Sequence, residues 1–166
     1  MISINQYIKL IADFFTSHNQ IHTVSTGNEF NFNADSNIVY PVAHIEYVTQ
    51  NIQDKNVVHQ FEITLADLFD PNIANAEISI WSDMNLIADD MVTFFANQYQ
   101  YDVDYEINEN VNIQKFSNGN VDRVAGCVFV VSFNQFREAN SCIIPTDDNI
   151  DTALTLFDVQ FTPEFQ

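Results

Sequence analysis

The sequence predicts an α+β fold: a mostly antiparallel β-sheet with a long β-hairpin, and two principal α-helices packed on that sheet. Three observations carry this. First, the apolar period changes inside His59–Gln98. Phe61, Ile63 and Leu65 alternate with Gln60, Glu62 and Thr64, as in a half-buried strand. After a break at Asp70-Pro71-Asn72, Ile80, Met84, Ile87, Ala88, Met91, Phe94 and Phe95 recur every three or four residues. That spacing puts them on one helical stripe, with Asp83, Asn85, Asp89, Asp90, Thr93 and Asn97 mostly opposite. Second, the chain opens with another helical stripe. Third, the remainder consists of strand-like runs separated by polar turns.

The elements follow in order. Met1–Asn19 reads as a helix, because Ile4, Tyr7, Ile8, Ile11, Phe14 and Phe15 repeat at helical spacing and Ser3 stands where an N-cap belongs. His18 and His22 flank its end without a third ligand at metal-site spacing, and read as surface residues. Residues 21–37 are polar, with a turn expected at Gly27 and a short strand at Phe30 and Phe32. A strand is expected over Ile38–Val48, with Pro41 marking a sheet edge or an irregular beginning, since proline donates no ladder hydrogen bond. Thr49–Asn56 is expected to form a polar tip, beyond which Val57 resumes the chain as the hairpin's second arm. Asp67 and Asp70 are expected to end that strand and organise the turn.

Beyond the second helix, Tyr99–Ile107 alternates, with Tyr101, Val103, Tyr105 and Ile107 on one side and Asp102, Asp104 and Glu106 on the other. Val111–Phe116 reads as a return strand, and Asn118-Gly119-Asn120 as a turn. Val121–Phe136 follows, and its unbroken run from Ala125 to Val131 predicts a central strand covered on both faces. Cys142–Pro145 closes a single domain over residues 1–145. Residues 146–166 form an acidic arm carrying Phe157, Phe161 and Phe165. Exposed tails rarely carry three phenylalanines, so this arm is expected to be buried somewhere.

Composition bounds the function. The chain has 166 residues, 46% of them hydrophobic and 15 of them Phe, enough for one domain with a substantial core. No run approaches the ~20 apolar residues of a membrane span, so no membrane partner is expected. The N-terminus lacks a basic region followed by an apolar run, which argues against a secretory signal. Cys127 and Cys142 make no disulfide framework and read as small buried core residues, consistent with a reducing compartment.

Charge is the outlier. Five basic residues against 23 acidic ones give a net charge of -18. Groove-type nucleic-acid binding needs clustered Lys and Arg, whereas Lys9, Lys55, Lys115, Arg123 and Arg137 are far apart in sequence. An acidic surface keeps a protein soluble, and it also lets DNA slide past without sticking.

No catalytic constellation emerges. Three glycines are too few and too scattered for a dinucleotide or phosphate-loop fingerprint, and no HExxH, CxxC or GxSxG motif is present. His44 and Glu46 share a strand face in the manner of a metal pair, but ordinary packing or hydrogen bonding is the simpler reading. The Asp102, Asp104 and Glu106 row fails the calcium-loop test, because Ile107 stands where the loop glycine must be. No enzyme activity, metal or cofactor is expected; a hydrolase using that carboxylate row ranks a distant third among the functional readings.

The order of helix, long hairpin, strand ending LADLFDPN, helix with Ser82-Asp83 and Ala88-Asp89-Asp90, and strand block ending Asn140–Pro145 resembles a group of small virion proteins. These belong to tailed bacteriophages, including crAss-like and related phages of Bacteroides-type hosts, and the order is similar to the tail-terminator and tail-completion fold. The resemblance covers roughly residues 1–145; Leu68-Phe69 after Asp67 departs from the family pattern, and the arm lies outside it.

The resemblance implies a structural ring protein of the neck or upper tail, connecting the portal side to the tail and continuing the DNA channel. Its implied partners are copies of itself in a six-fold or twelve-fold ring, adjacent neck, portal-side or tail proteins, and genomic DNA passing without specific binding. The implied location is the virion, after assembly in the host cytoplasm. On this reading the Tyr40–Leu65 hairpin bridges subunits or lines the channel through its tip at Asn51, Gln53, Asp54 and Lys55. Phe157, Phe161 and Phe165 clasp a neighbour. The alternative is an acidic adaptor, a DNA mimic that occupies a basic site on a host protein.

Overall fold

Among the described residues, two helices and six strands are arranged as their apolar periods require. The computed structural model describes residues 2–28, 38–98, 104–118 and 123–137. Helix α1 spans Ile4–Ser17. Ser3 caps it in a reciprocal box: the Ser3 hydroxyl accepts from the Gln6 N–H, and the Gln6 amide oxygen accepts from the Ser3 N–H at 2.7 Å. Its buried stripe is Tyr7, Ile11 and Phe15. Helix α2 spans Ala76–Gln98 and buries Ile80, Met84, Ile87, Ala88, Met91 and Phe95. Phe94 was expected on the same stripe, yet it is exposed at the flank, where its ring stacks 5.1 Å from Phe14 of α1.

The strands are β1 (Thr23–Thr26), β2 (Val42–Gln53), β3 (Asn56–Leu68), β4 (Glu106–Ile107), β5 (Gln114–Asn118) and β6 (Val124–Phe136). They form one sheet in the order β1-β2-β3-β6-β4, with β5 also on β6. Among the described residues, β1–β2 is parallel and the other pairings are antiparallel. Both helices lie on one face. The core there joins Ala43 and Ile45 of β2, Phe61, Ile63 and Leu65 of β3, and Ala125, Cys127, Phe129, Val131 and Phe133 of β6 to the helical stripes. Burial pushes the Cys127 thiol up to about 12, so it is an inert core residue, as its sequence context implies.

Several expectations need correction. A strand at Thr23–Thr26 was not expected; Phe30 and Phe32, where a short strand was, lie outside the described residues. The TVST sequence of Thr23–Thr26 shows no apolar alternation because it is a half-buried border strand, held by the parallel ladder to Val42–Ile45. Strand β2 begins at Val42 rather than Ile38. The Pro41 carbonyl accepts instead from the His22 and Thr23 N–H groups, at 2.9 and 3.3 Å. His18 is half-buried and not a free surface residue: its Nε2 stands 3.4 Å from the Asp90 carboxylate, tying α1 to α2.

In the later part of the chain, only Glu106–Ile107 of the expected Tyr99–Ile107 strand pairs among the described residues, and β5 starts at Gln114 rather than Val111. Strand β6 is central but is not covered on both faces. Its helix-facing residues are buried, whereas Val130 is 40% and Phe136 66% exposed on the other face. Among the described residues, that second face carries a small core near its start, where Val42, Ala66 and Val124 pack with Ile38, Tyr40 and Phe116. Cys142–Pro145 and the 146–166 arm lie outside the described residues.

Candidate functional site

The hairpin is longer in its pairing than its sequence suggests. Residues 49–53 lack an apolar pattern, but the ladder between β2 and β3 continues through Asn51↔Val58 and Ile52↔Val57 to Gln53↔Asn56. Polar side chains do not weaken such a ladder, since its bonds are made by the backbone. Only Asp54 and Lys55 form the turn. Asp54 takes φ +49°, the left-handed conformation that Asp tolerates better than most side chains. Of the four residues expected at the tip, Asn51 and Gln53 are therefore strand residues, and Asp54 and Lys55 are the turn itself. All four are exposed.

A register shift at Val48 interrupts the ladder between Tyr47 and Thr49. A bulge of this kind twists the strand and re-aims the residues beyond it. Up to Ile45, the outer edge of β2 is occupied by β1, and the Gly27 N–H adds a last bond to the Ile45 carbonyl at 3.1 Å. From Val48 to Gln53 no strand pairs that edge among the described residues. Val48–Gln53 is exposed throughout, with Val48 48% and Ile52 53% accessible, and contains no charged residue and no proline. An edge without Lys, Pro or a cover is open to pairing by another chain.

Strand β6 accompanies β3 along its entire length, from Leu68↔Val124 to Asn56↔Phe136. The hairpin is thus the distal half of a three-stranded ribbon. The Arg137 N–H donates to the Lys55 carbonyl at 2.6 Å, so two of the five basic residues meet at its end. Sequence spacing hides this pairing, because Lys55 and Arg137 belong to different strands. Inside the ribbon's base, Tyr7 packs among His59, Phe61, Tyr105 and Phe133 at centroid distances of 5.1 to 5.9 Å. Burial raises the Tyr7 hydroxyl's pKa and lowers that of the His59 imidazole, so both are neutral packing groups near pH 7.

The other candidates resolve into structure. His44 Nδ1 lies 2.8 Å from the Ser25 hydroxyl, joining β2 to β1. Asp67 accepts from the Leu68 N–H at 2.7 Å, and Asp70 from the Asn72 N–H at 2.9 Å, the turn-forming roles expected of them. Asp104 and Glu106 are exposed, and Asp102 lies outside the described residues. Among the described residues, no three His, Cys, Asp or Glu side chains are grouped to hold a metal. Within the same residues, no helix is long and apolar enough to cross a membrane. Phe157, Phe161 and Phe165 fall outside the described residues.

The β3–α2 connection and the start of α2 border an open cleft of about 560 Å³, lined by Phe69, Ile73, Asn75, Glu77, Ile78 and Trp81 among others. No family model matches the chain, and no curated protein matches it.

Proposed function

We propose that this chain is a structural subunit of a homo-oligomeric ring in the neck or upper tail of a tailed bacteriophage. The observation that supports it best is the uncharged edge of β2 from Val48 to Gln53, which no strand pairs among the described residues, at the far end of a ribbon three strands wide. A ring subunit needs two different surfaces that meet in a head-to-tail contact. The β2 edge supplies one such surface, and strand addition across it gives the adjacent copy main-chain hydrogen bonds without side-chain specificity. The basic pair at the tip, Lys55 and Arg137, suits the acidic surface of the next copy. The remaining carboxylates leave a channel wall that repels DNA and lets it pass.

The test is the composition of purified virions. Mass spectrometry is expected to find the chain in a fixed ratio, equal to the portal copy number or a simple fraction of it. Absence from virions overturns the ring. Capture of a basic host protein by the purified chain then favours the acidic DNA-mimic adaptor.

A further inference from the structure

We propose that His59 is the trigger of a proton-operated hinge: its protonation lifts the first turn of α1 off the β3–β6 ribbon, while the other end of the helix stays on α2. His59 is enclosed where that turn meets the ribbon. It is 3% exposed, on the helix-facing side of β3, and the Tyr7 ring of α1 packs on it at a centroid distance of 5.2 Å. Neither ring nitrogen has a hydrogen-bond partner among the described residues. Diagonally across the ladder on β6, Gln135 is 2% exposed. Its Oε1 accepts from the Ile2 N–H at 3.1 Å and stands 3.5 Å from the Tyr7 hydroxyl.

The enclosure is hostile to a proton. An imidazolium presents two N–H donors, and burying them without acceptors is costly. The acceptor on this face, Gln135 Oε1, is already engaged by the Ile2 N–H. The surrounding elements supply no compensating anion. Strand β6 sets Phe133 opposite His59, and β2 sets Gln50 opposite it on the other side. The titratable groups packed here are phenols, Tyr7 from α1 and Tyr105 beside it, 5.7 Å apart between centroids. Asp104 is exposed and acts on the Tyr7 hydroxyl, and Lys9 of α1 pairs with Asp13 at the exposed surface. Burial therefore lowers the imidazole's affinity for a proton with no charge to offset it. The positive end of the α1 dipole, at the same turn, opposes the charge as well.

The fold sets which side gives way. Strand β3 is held by ladders on both of its edges, to β2 and to β6. The first turn of α1 is held by the Ile2–Gln135 bond and by the packing of Tyr7. The far end of the helix is tied differently: His18 Nε2 stands 3.4 Å from the Asp90 carboxylate, and the Phe14 ring lies 5.1 Å from Phe94. Acid strengthens the first of these ties, because a protonated His18 attracts the carboxylate. One proton loosens the start of α1 and another tightens its end, ~20 Å away along its 14 residues. The hinge rests on the fold alone, so a chain absent from virions leaves it standing.

A helical turn without tertiary contacts frays, so amide hydrogen exchange reports the hinge. The full chain is measured at pH 7 and pH 5, with exchange corrected for its intrinsic rate. Opening at Tyr7 to Leu10 is expected to rise several-fold, with a ceiling of about 25-fold for one histidine of ordinary pKa 6.5. Helix α2 from Ile80 to Phe95, and β6, are expected to keep their protection. His59→Phe and His59→Leu are each expected to abolish the rise. Unchanged protection in α1 overturns the hinge. An equal loss across α1, α2 and β6 also overturns it, because the whole domain then opens. A rise that persists in both variants does the same, because another group then drives it. The wild-type chain supplies a check that needs no variant. In NMR, the amide shifts of Tyr7 to Leu10 are expected to follow the His59 Cε1–H signal along one pH curve, and separate midpoints overturn the coupling.

Discussion

The Arg137 N–H and the Lys55 carbonyl oxygen are 2.6 Å apart, which fixes the end of β6 against the turn of the β2–β3 hairpin. The contact makes the hairpin part of a ribbon anchored in the domain core through Phe61 and Phe133, 6.0 Å apart between ring centroids. A two-stranded hairpin is marginal in water; a third strand gives it independent rigidity. The tip thereby becomes a defined surface.

The turn depends on Asp54, whose φ of +49° is unfavourable for most side chains. Asp54→Ala is expected to cost about 1 kcal/mol. Asp54→Gly is expected to be tolerated at that position, because glycine has no Cβ to clash. Urea unfolding of the two variants beside the wild type checks the difference.

The open β2 edge is expected to carry self-association. Val48→Lys with Ile52→Lys puts two cations on an edge where both native side chains are exposed, so the melting temperature is expected to be nearly unchanged. Association measured by sedimentation velocity is expected to weaken at least tenfold. Unchanged association assigns the subunit contact to another surface.

The contact between β3 and β6 leaves no room at Gly126. A Cβ there would lie 1.9 Å from the Leu65 carbonyl oxygen and 2.9 Å from the Ala66 Cα, both backbone atoms that cannot swing aside. Gly126→Ala is expected to destabilise the fold by about 3 kcal/mol, at the upper end of ordinary overpacking costs. The midpoint of denaturant unfolding measures it.

His59 predicts a loss of stability in mild acid. It is 3% exposed, packs 5.2 Å from the Tyr7 ring, and neither ring nitrogen has a hydrogen-bond partner among the described residues. Desolvation lowers its folded pKa below the ordinary 6.5. The unfolded chain therefore takes up a proton before the folded chain does. The stabilising contribution is complete above pH 6.5 and is lost as the pH falls from there toward the folded value. His44, lowered chiefly by burial, acts with the same sign. His59→Phe is expected to raise stability at pH 7 by about 1 kcal/mol, by removing unpaired buried nitrogens. It is also expected to shrink the drop in melting temperature between pH 7 and pH 5, measured by circular dichroism.

Much of the fold was legible because burial imposes a period. Helix α2, Ala76–Gln98, contains the whole apolar stripe from Ile80 to Phe95, and Phe61, Ile63 and Leu65 face the core as their alternation required. The candidate site was less legible. Asn51 and Gln53 lie within a regular ladder, but backbone pairing leaves no trace in side-chain polarity. The apolar run in β6 suggested cover on both faces, yet Val130 is 40% exposed on the face away from the helices.

By itself, the sequence determined the helices, the hairpin, the buried stripes and the acidic surface, since each follows from the spacing of side chains along one stretch of chain. Only the tertiary structure decided that β1 runs parallel to β2, that β6 follows β3 to its tip beside Lys55, and that Trp81, Ile73 and Ile78 gather around one cleft. The physical reason is that every residue except proline offers the same backbone donor and acceptor. Which strands share these bonds is settled by the packing of the whole domain, where residues distant in sequence compete for the same neighbours.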